Sequence, residues 1–260
     1  MIGFFIKKSF FDGWDNLFAL AALNIGYLLL AIVFIILPSI LGAGMALSIA
    51  SICVGVLALA VWHSLTACAA DRLADYKSIG FREFFMNIGA AWKPGIAFGF
   101  LCLLVLFSFT VGIPFYFTMK SFFGLFLASL LFWVNLTLIL ASQYFLPLAA
   151  RRGGSLRRNA RVALSLLMDN IAFSFFLLFY NIASLLLSLA VAFLVPGLAG
   201  VSLASADAVK LRLRKYEWLE GKEPTARRQR IPWGELLEEE KDLVGERTLK
   251  GMIFPWKEGK

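Results

Sequence analysis

The sequence predicts an all-α fold, a polytopic transmembrane helical bundle of about six spans with interfacial amphipathic helices. Three observations carry that reading. Of 260 residues, 60% are hydrophobic and only 16% are charged, where a soluble domain carries about 25% charged residues. Five apolar runs, Leu17–Leu37, Ala46–Ala70, Gly95–Phe117, Phe122–Ala150 and Ile171–Val195, each reach the roughly 20 residues needed to cross about 30 Å of hydrocarbon. The 25 Lys and Arg residues also alternate between rich and poor segments, so that one side holds 24 of them and the other only Lys120. Short cytoplasmic loops collect Lys and Arg, so the rich side is the inside. Leaving out the C-terminal segment, the ratio is still eleven to one.

The elements follow in order. "FFIKKSFFDGWDNLFAL" leads from a basic, aromatic segment into the first span. Asp12, Trp14 and Asp15 interrupt it and no small-residue site follows, so a cleaved leader is not expected. After the second span comes "FREFFMNIGAAWKPGIAFGF". Phe81, Phe84, Phe85, Ile88 and Trp92 form one helical stripe with Arg82, Glu83 and Asn87 off it. That pattern predicts a helix lying in the interface plane, broken at Lys93-Pro94-Gly95 before the third span rises from Ile96. "LRRNARVALSLLMDNIAFSF" repeats the plan before the fifth span, with Leu156, Ala160, Ala163, Leu164 and Leu167 on one side and Arg157, Arg161 and Ser165 on the other. Three parallel hairpin units are expected over about 1–70, 71–150 and 151–215, related by an axis along the membrane normal.

The sixth span is the shortest. Only 13 apolar or small residues separate Pro196 from Lys210, about 20 Å of helix. Snorkelling of Arg212 and Arg214 would lengthen it. A full crossing keeps the cationic tail inside, and a re-entrant segment over 196–210 is the alternative. The domain plan is a transmembrane domain, 1–215, and a cytoplasmic tail, 216–260, with a short amphipathic helix.

The "WDNLFALAALNIGYLLLAIVFIILPSILGAGMAL" opening, the "FREFFMNIGAAWKPG" connection, the "QYFLPLAARRGGSLRRNARVAL" descent and the "PGLAGVSLASADAVKLRLRKY" ending together resemble the YesL-like family of bacterial integral membrane proteins. The likeness covers about residues 5–218. It implies the bacterial cytoplasmic (inner) membrane as location, and a role beside carbohydrate uptake by analogy alone.

Candidate chemistry is sparse. His63 is the only histidine, and Ser64 beside it points elsewhere on the helix; no G-x-S-x-G occurs. Cys53, Cys68 and Cys102 lie within spans without metal spacing. No enzyme activity and no cofactor are therefore expected. His63, Asn135, Gln143 and Asp207 are candidates for an intramembrane polar site, set against the plainer reading that such groups join helices. Asn24, Asn170 and Asn181 belong to the same inventory of interhelical amides, and Asp207 has Lys210 at i+3 as its nearest sequence partner. Gly200, Ala204 and Ala208 form a small-residue stripe for close helix packing.

In the tail, Arg227, Arg228 and Arg230, with Arg157, Arg158 and Arg161 of the fourth loop, are candidates for lipid-headgroup contact. Trp233, Leu236, Leu237, Phe254 and Trp256 are candidates for partner docking or for folding back on the protein's own inner loops. The resulting expectation is a non-enzymatic accessory or assembly partner of a membrane transport system. Its alternative is a small-solute transporter or channel. The partners are the bilayer and a cytoplasmic or transporter subunit met through the tail, not nucleic acid, and both termini are cytoplasmic.

Overall fold

The computed structural model describes residues 1–42, 44–220, 231–245 and 247. They form eleven helical rods and no strand: α1 Ile2–Asp15, α2 Leu17–Ile40, α3 Met45–Ala74, α4 Phe81–Met86, α5 Ile88–Thr118, α6 Phe122–Arg152, α7 Leu156–Asp169, α8 Ile171–Leu189, α9 Gly197–Glu220, α10 Trp233–Leu236 and α11 Glu238–Val244. Five of them, α2, α3, α5, α6 and α8, are long and apolar enough to cross a bilayer. The protein is a multi-pass integral membrane protein.

A repeated junction organises the chain. α1 turns into α2 at Asn16, α4 into α5 at Asn87, and α7 into α8 at Asn170. Each asparagine donates its side-chain amide to the carbonyl four residues back: Asn16 to Asp12 at 2.8 Å, Asn87 to Glu83 at 3.0 Å and Asn170 to Leu166 at 3.0 Å. One carbonyl at the end of each interfacial helix is thereby satisfied while the chain changes direction. The long rods share a second feature. α2 and α5 each widen into a π-helical stretch, Ile32–Ile36 and Ser108–Gly112, two residues before Pro38 and Pro114. A proline ring clashes with the carbonyl four residues back and cannot donate to it. The freed carbonyl of Phe34 takes the Ser51 hydroxyl of α3 instead, at 2.6 Å, as a lipid-facing helix requires.

The break expected at Lys93-Pro94-Gly95 is not there. α5 runs through Pro94, and the turn falls at Asn87. Gly95 serves close approach rather than termination. A side chain on it would meet the Val61 backbone of α3 at 2.6 Å and the Ala60 carbonyl at 3.1 Å. Gly99, one turn on, faces Leu57 and Ala60 of the same helix. Gly95→Val is expected to force α5 off α3 and to cost about 1–3 kcal/mol, read as a lowered thermal midpoint in detergent. Gly89→Val, at a position open on all sides, should leave the midpoint where it was. The stripe of the fourth loop also shifts: Ala163, Leu166 and Leu167 face inward, while Ala160 and Leu164 face outward.

α9 is the axis of the bundle. Every residue from Ser202 to Leu211 is buried, Ala204 and Ala208 of the expected small-residue stripe included. One core cluster joins α9 to Phe5 of α1, Tyr144 and Leu148 of α6, Leu166 of α7 and Leu177 of α8. A second joins it to Leu20 of α2, Leu65 and Leu73 of α3 and Ala91 of α5. A charged helix can occupy the centre because its neighbours supply partners for its charges. Both clusters sit toward the end of the bundle that carries the Lys- and Arg-rich connections. The opposite stretch of α2, from Ile32 to Ile40, has no buried residue, and the buried residues of α3 run only from Gly55 to Ala74.

The α8–α9 turn meets α2 partway along its length. Asn24 donates to the Leu194 carbonyl at 2.9 Å and the Pro196 carbonyl at 2.8 Å, and its own oxygen accepts from the Ala199 amide at 2.9 Å. Gly197, at φ 57°, packs directly on the Asn24 side chain, where no other residue fits. Asn24 lies sixteen residues before Ile40, about 24 Å of helix. α9 is thus a continuous 24-residue helix that starts beside the middle of α2, rather than a rod reaching the level of the α2–α3 turn. Its tip, "AVAFLVPG", carries no polar side chain. The level of the tip predicts that Phe193→Cys resists a membrane-impermeant maleimide given access to both faces of the membrane, while Leu41→Cys at the α2–α3 turn reacts. Equal reaction of the two would place the tip at the surface.

Candidate functional site

Five elements converge at the end of the bundle that carries the Lys- and Arg-rich connections. α1 brings Lys8 and Asp12, one helical turn apart. The end of α3 brings Asp71, Asp75, Tyr76 and the Ala74 carbonyl. α6 brings Arg151, α9 brings Asp207, Lys210 and Arg214, and α11 brings Glu239 and Glu240. Lys8 is fully buried. Its ammonium donates to Asp12 at 2.6 Å, Tyr76 Oη at 3.0 Å and the Ala74 carbonyl at 3.1 Å. It stands 3.4 Å from Asp207 and 3.5 Å from Glu240, with the Tyr76 ring centroid 4.2 Å away. Lys210 donates to the same Ala74 carbonyl at 2.8 Å and pairs with Glu240 at 2.7 Å and Asp75 at 3.1 Å. Arg151 bridges Asp71 at 2.7 Å and Asp75 at 2.9 Å.

The local fold accounts for this meeting. Ala74 is the last residue of α3, and the final carbonyls of a helix lack intrahelical donors and carry the negative end of its dipole. Two ammonium groups satisfy that one oxygen. Tyr76 follows in a left-handed conformation, φ 57°, uncommon for a bulky residue; it turns the phenol back under Lys8. Six carboxyls therefore face four cations. Asp207 is fully buried, with the Lys8 ammonium at 3.4 Å and the Asp12 carboxyl beside it.

The charges reshape one another. Burial pulls the Lys8 ammonium down, but Asp207 and Asp12 outweigh it and hold Lys8 well above the ordinary lysine value. Burial pushes Asp12 up, with Lys8 opposing. Burial likewise works to raise Asp75, yet Arg151 and Lys210 keep it below the usual carboxylate range. Tyr76 is pushed up to about 12, mainly by burial. Taking charges out of water costs several kcal/mol per ion, and here the cost is offset because all four cations, Asp75 and Glu240 each have two or more oppositely charged partners.

A charged cleft of about 740 Å³ opens beside the cluster, walled by Asp75, Tyr76, Arg151, Lys210, Arg214 and the tail's Glu239. No family model, curated protein or solved structure matches this chain. Its function has to be argued from this geometry.

The four residues predicted as an intramembrane polar site do not meet. His63 Nδ1 bonds Tyr27 of α2 at 2.6 Å. Asn135 of α6 donates to Ser108 of α5 at 2.5 Å and to its own helix at Leu131. Gln143 donates to the Ser174 carbonyl of α8 at 3.3 Å and accepts from Asn181 at 3.1 Å. Asp207 joins the ionic cluster and faces Lys8, while Lys210, its expected partner, turns to Asp75 and Glu240.

In the tail, Leu237 is buried in the first core cluster, Trp233 packs at that cluster's edge near Arg212, and Leu236 is half-buried. Phe254, Trp256, Arg227, Arg228 and Arg230 lie outside the described residues. Arg157, Arg158 and Arg161 are exposed on α7. Arg157 lines a largely apolar groove of about 430 Å³ that Phe98, Leu101, Leu138 and Phe145 also wall.

Sequence reasoning missed Lys8, Asp12, Asp75, Arg151 and Glu240 as members of one site. The one local signal was the Lys8–Asp12 spacing of four inside an aromatic segment.

Proposed function

We propose that this protein is a non-enzymatic accessory or assembly partner of a membrane transport system, and that its inner face is the docking surface. Its resemblance to the YesL-like family points the same way, toward carbohydrate uptake in a bacterial cytoplasmic membrane with both termini inside. The observation that carries the reading is the convergence of five elements, a tail segment among them, on one charged cleft at the end of the bundle where the loop cations gather. The test is co-purification from gently solubilised membranes, with the full chain and with a chain lacking residues 231–260. Loss of a transport component from the shortened chain supports the role of the tail. Recovery of the same components with both chains removes it.

A second reading, a small-solute transporter or channel, draws on one observation: the Asp207 carboxyl, fully buried at the core of the bundle beside Lys8 and Asp12. It predicts that Asp207→Asn abolishes pH-dependent flux in proteoliposomes. Unchanged flux would end that reading at this residue. The docking reading ranks first because His63, Asn135 and Gln143 are each engaged between a different pair of helices.

A further inference from the structure

We propose that the tail segment is a tethered occupant of a peptide-docking site, and that the site's other occupant is an acidic amphipathic segment of the partner protein. This deepens the docking reading and rests on it for the identity of the partner, though not for the existence of the site.

The segment enters the body along one stripe. Leu237 is 1% exposed, Glu240 2% and Val244 1%, a spacing of three and four that puts them on one face of a helix. Outside that stripe, Leu243 is 57% exposed, and Glu238, Glu239, Lys241 and Asp242 all face solvent. Leu237 fills an apolar slot in the first core cluster. The Glu240 carboxylate takes Lys210 at 2.7 Å and Lys8 at 3.5 Å, with Arg214 at 3.9 Å. Helix-in-groove recognition has this form: apolar anchors on one face, with a charged group fixing register.

Two features make the segment exchangeable rather than structural. α11 is seven residues long with three glutamates in its first turn, far below the length at which a helix holds its shape alone. Its conformation is therefore imposed by the surface it lies on. The surface, in turn, does not depend on Glu240 for charge balance. Lys8 keeps Asp12 at 2.6 Å and Lys210 keeps Asp75 at 3.1 Å, so withdrawal of Glu240 leaves neither ammonium unpaired. What withdrawal exposes is an apolar slot next to Lys8, Lys210 and Arg214. That surface fits a carboxylate flanked by apolar residues three before and four after it. A partner segment with this triplet displaces the tail by occupying the same three positions.

The experiment uses the full chain in nanodiscs, wild type and Glu240→Gln, and a labelled peptide of residues 232–244. Amide exchange over 237–244 reports whether the tail is seated. Glu240→Gln is expected to speed that exchange at least tenfold without lowering the thermal midpoint. The variant chain should bind the peptide at least tenfold more tightly than wild type does, in a salt-sensitive manner, and the same peptide bearing Gln at 240 should not bind. The proposal is overturned if the variant's tail exchanges as slowly as wild type, if a freed tail leaves a chain that does not take up the peptide, or if both chains bind it equally. Peptide uptake without recovery of any transport component in the co-purification would sustain the site and sink the transport role.

Discussion

Replacing Lys8 with methionine is expected to destabilise the protein by about 3–5 kcal/mol, the range for removing one partner from a buried ion pair. Lys8 is fully buried and is the cation closest to both Asp12, at 2.6 Å, and Asp207, at 3.4 Å. Lys210 stands near but is engaged by Glu240, Asp75 and the Ala74 carbonyl. Without Lys8, two carboxyls of adjacent helices face a methionine side chain, and at least one must take up a proton. The Ala74 carbonyl and the Tyr76 hydroxyl lose a donor or partner as well. Against a total stability of about 5–15 kcal/mol for a typical domain, this is a large fraction. The measurement is the thermal midpoint in detergent, with Lys8→Met/Asp207→Asn as the second variant. The double variant should recover part of the loss, because it removes the carboxyl left without a cation. A single variant as stable as wild type would mean that water reaches the cluster and the pairing contributes nothing.

Asn24→Leu should have the next largest effect. The asparagine holds three backbone groups of the α8–α9 turn: the Leu194 and Pro196 carbonyls and the Ala199 amide. At that depth there is no solvent to replace it, and non-helical backbone is tolerated only where protein satisfies it. Each buried polar group left unpaired costs about 1–3 kcal/mol, so the sum is several kcal/mol even after relaxation. Leucine is close to asparagine in size, which isolates the hydrogen bonds from the packing. A fall in midpoint is expected together with faster amide exchange at Ala199 and Gly200. Unchanged exchange at Ala199 would show that the turn finds its partners elsewhere.

Much of the scaffold was written locally, and the site was not. Apolar runs marked the long rods because crossing hydrocarbon needs an unbroken length of one chemistry, readable in any window of the chain. The charge alternation was equally local. The break at Asn87 was misplaced because Lys93-Pro94-Gly95 looks like punctuation; only the position of α3 reveals that Gly95 admits Val61. Asp207 and Lys210, three residues apart, read as a pair, yet their partners come from the other end of the chain and from the tail. Nothing near Asp207 in sequence announces Lys8. Glu240 sits in a run of acids that reads as a solvated face. The buried member is distinguished only by the apolar residues three before and four after it, and Leu236 and Leu243 blurred that spacing.

The central place of α9 has a consequence for biosynthesis. The helix that both core clusters share is the last of the long rods to leave the ribosome, and its partners are among the first residues made. Asn24 precedes the Leu194 carbonyl by 170 residues. At translation rates of about 5–20 residues per second, the amide waits roughly 10–30 s for the groups it will bond. During that interval the nascent hairpins must be held by lipid, by each other or by the insertion machinery. A chain that stops short of α9 leaves Lys8 without Asp207 and Asn24 without the Ala199 amide, a defect that quality-control proteases can read.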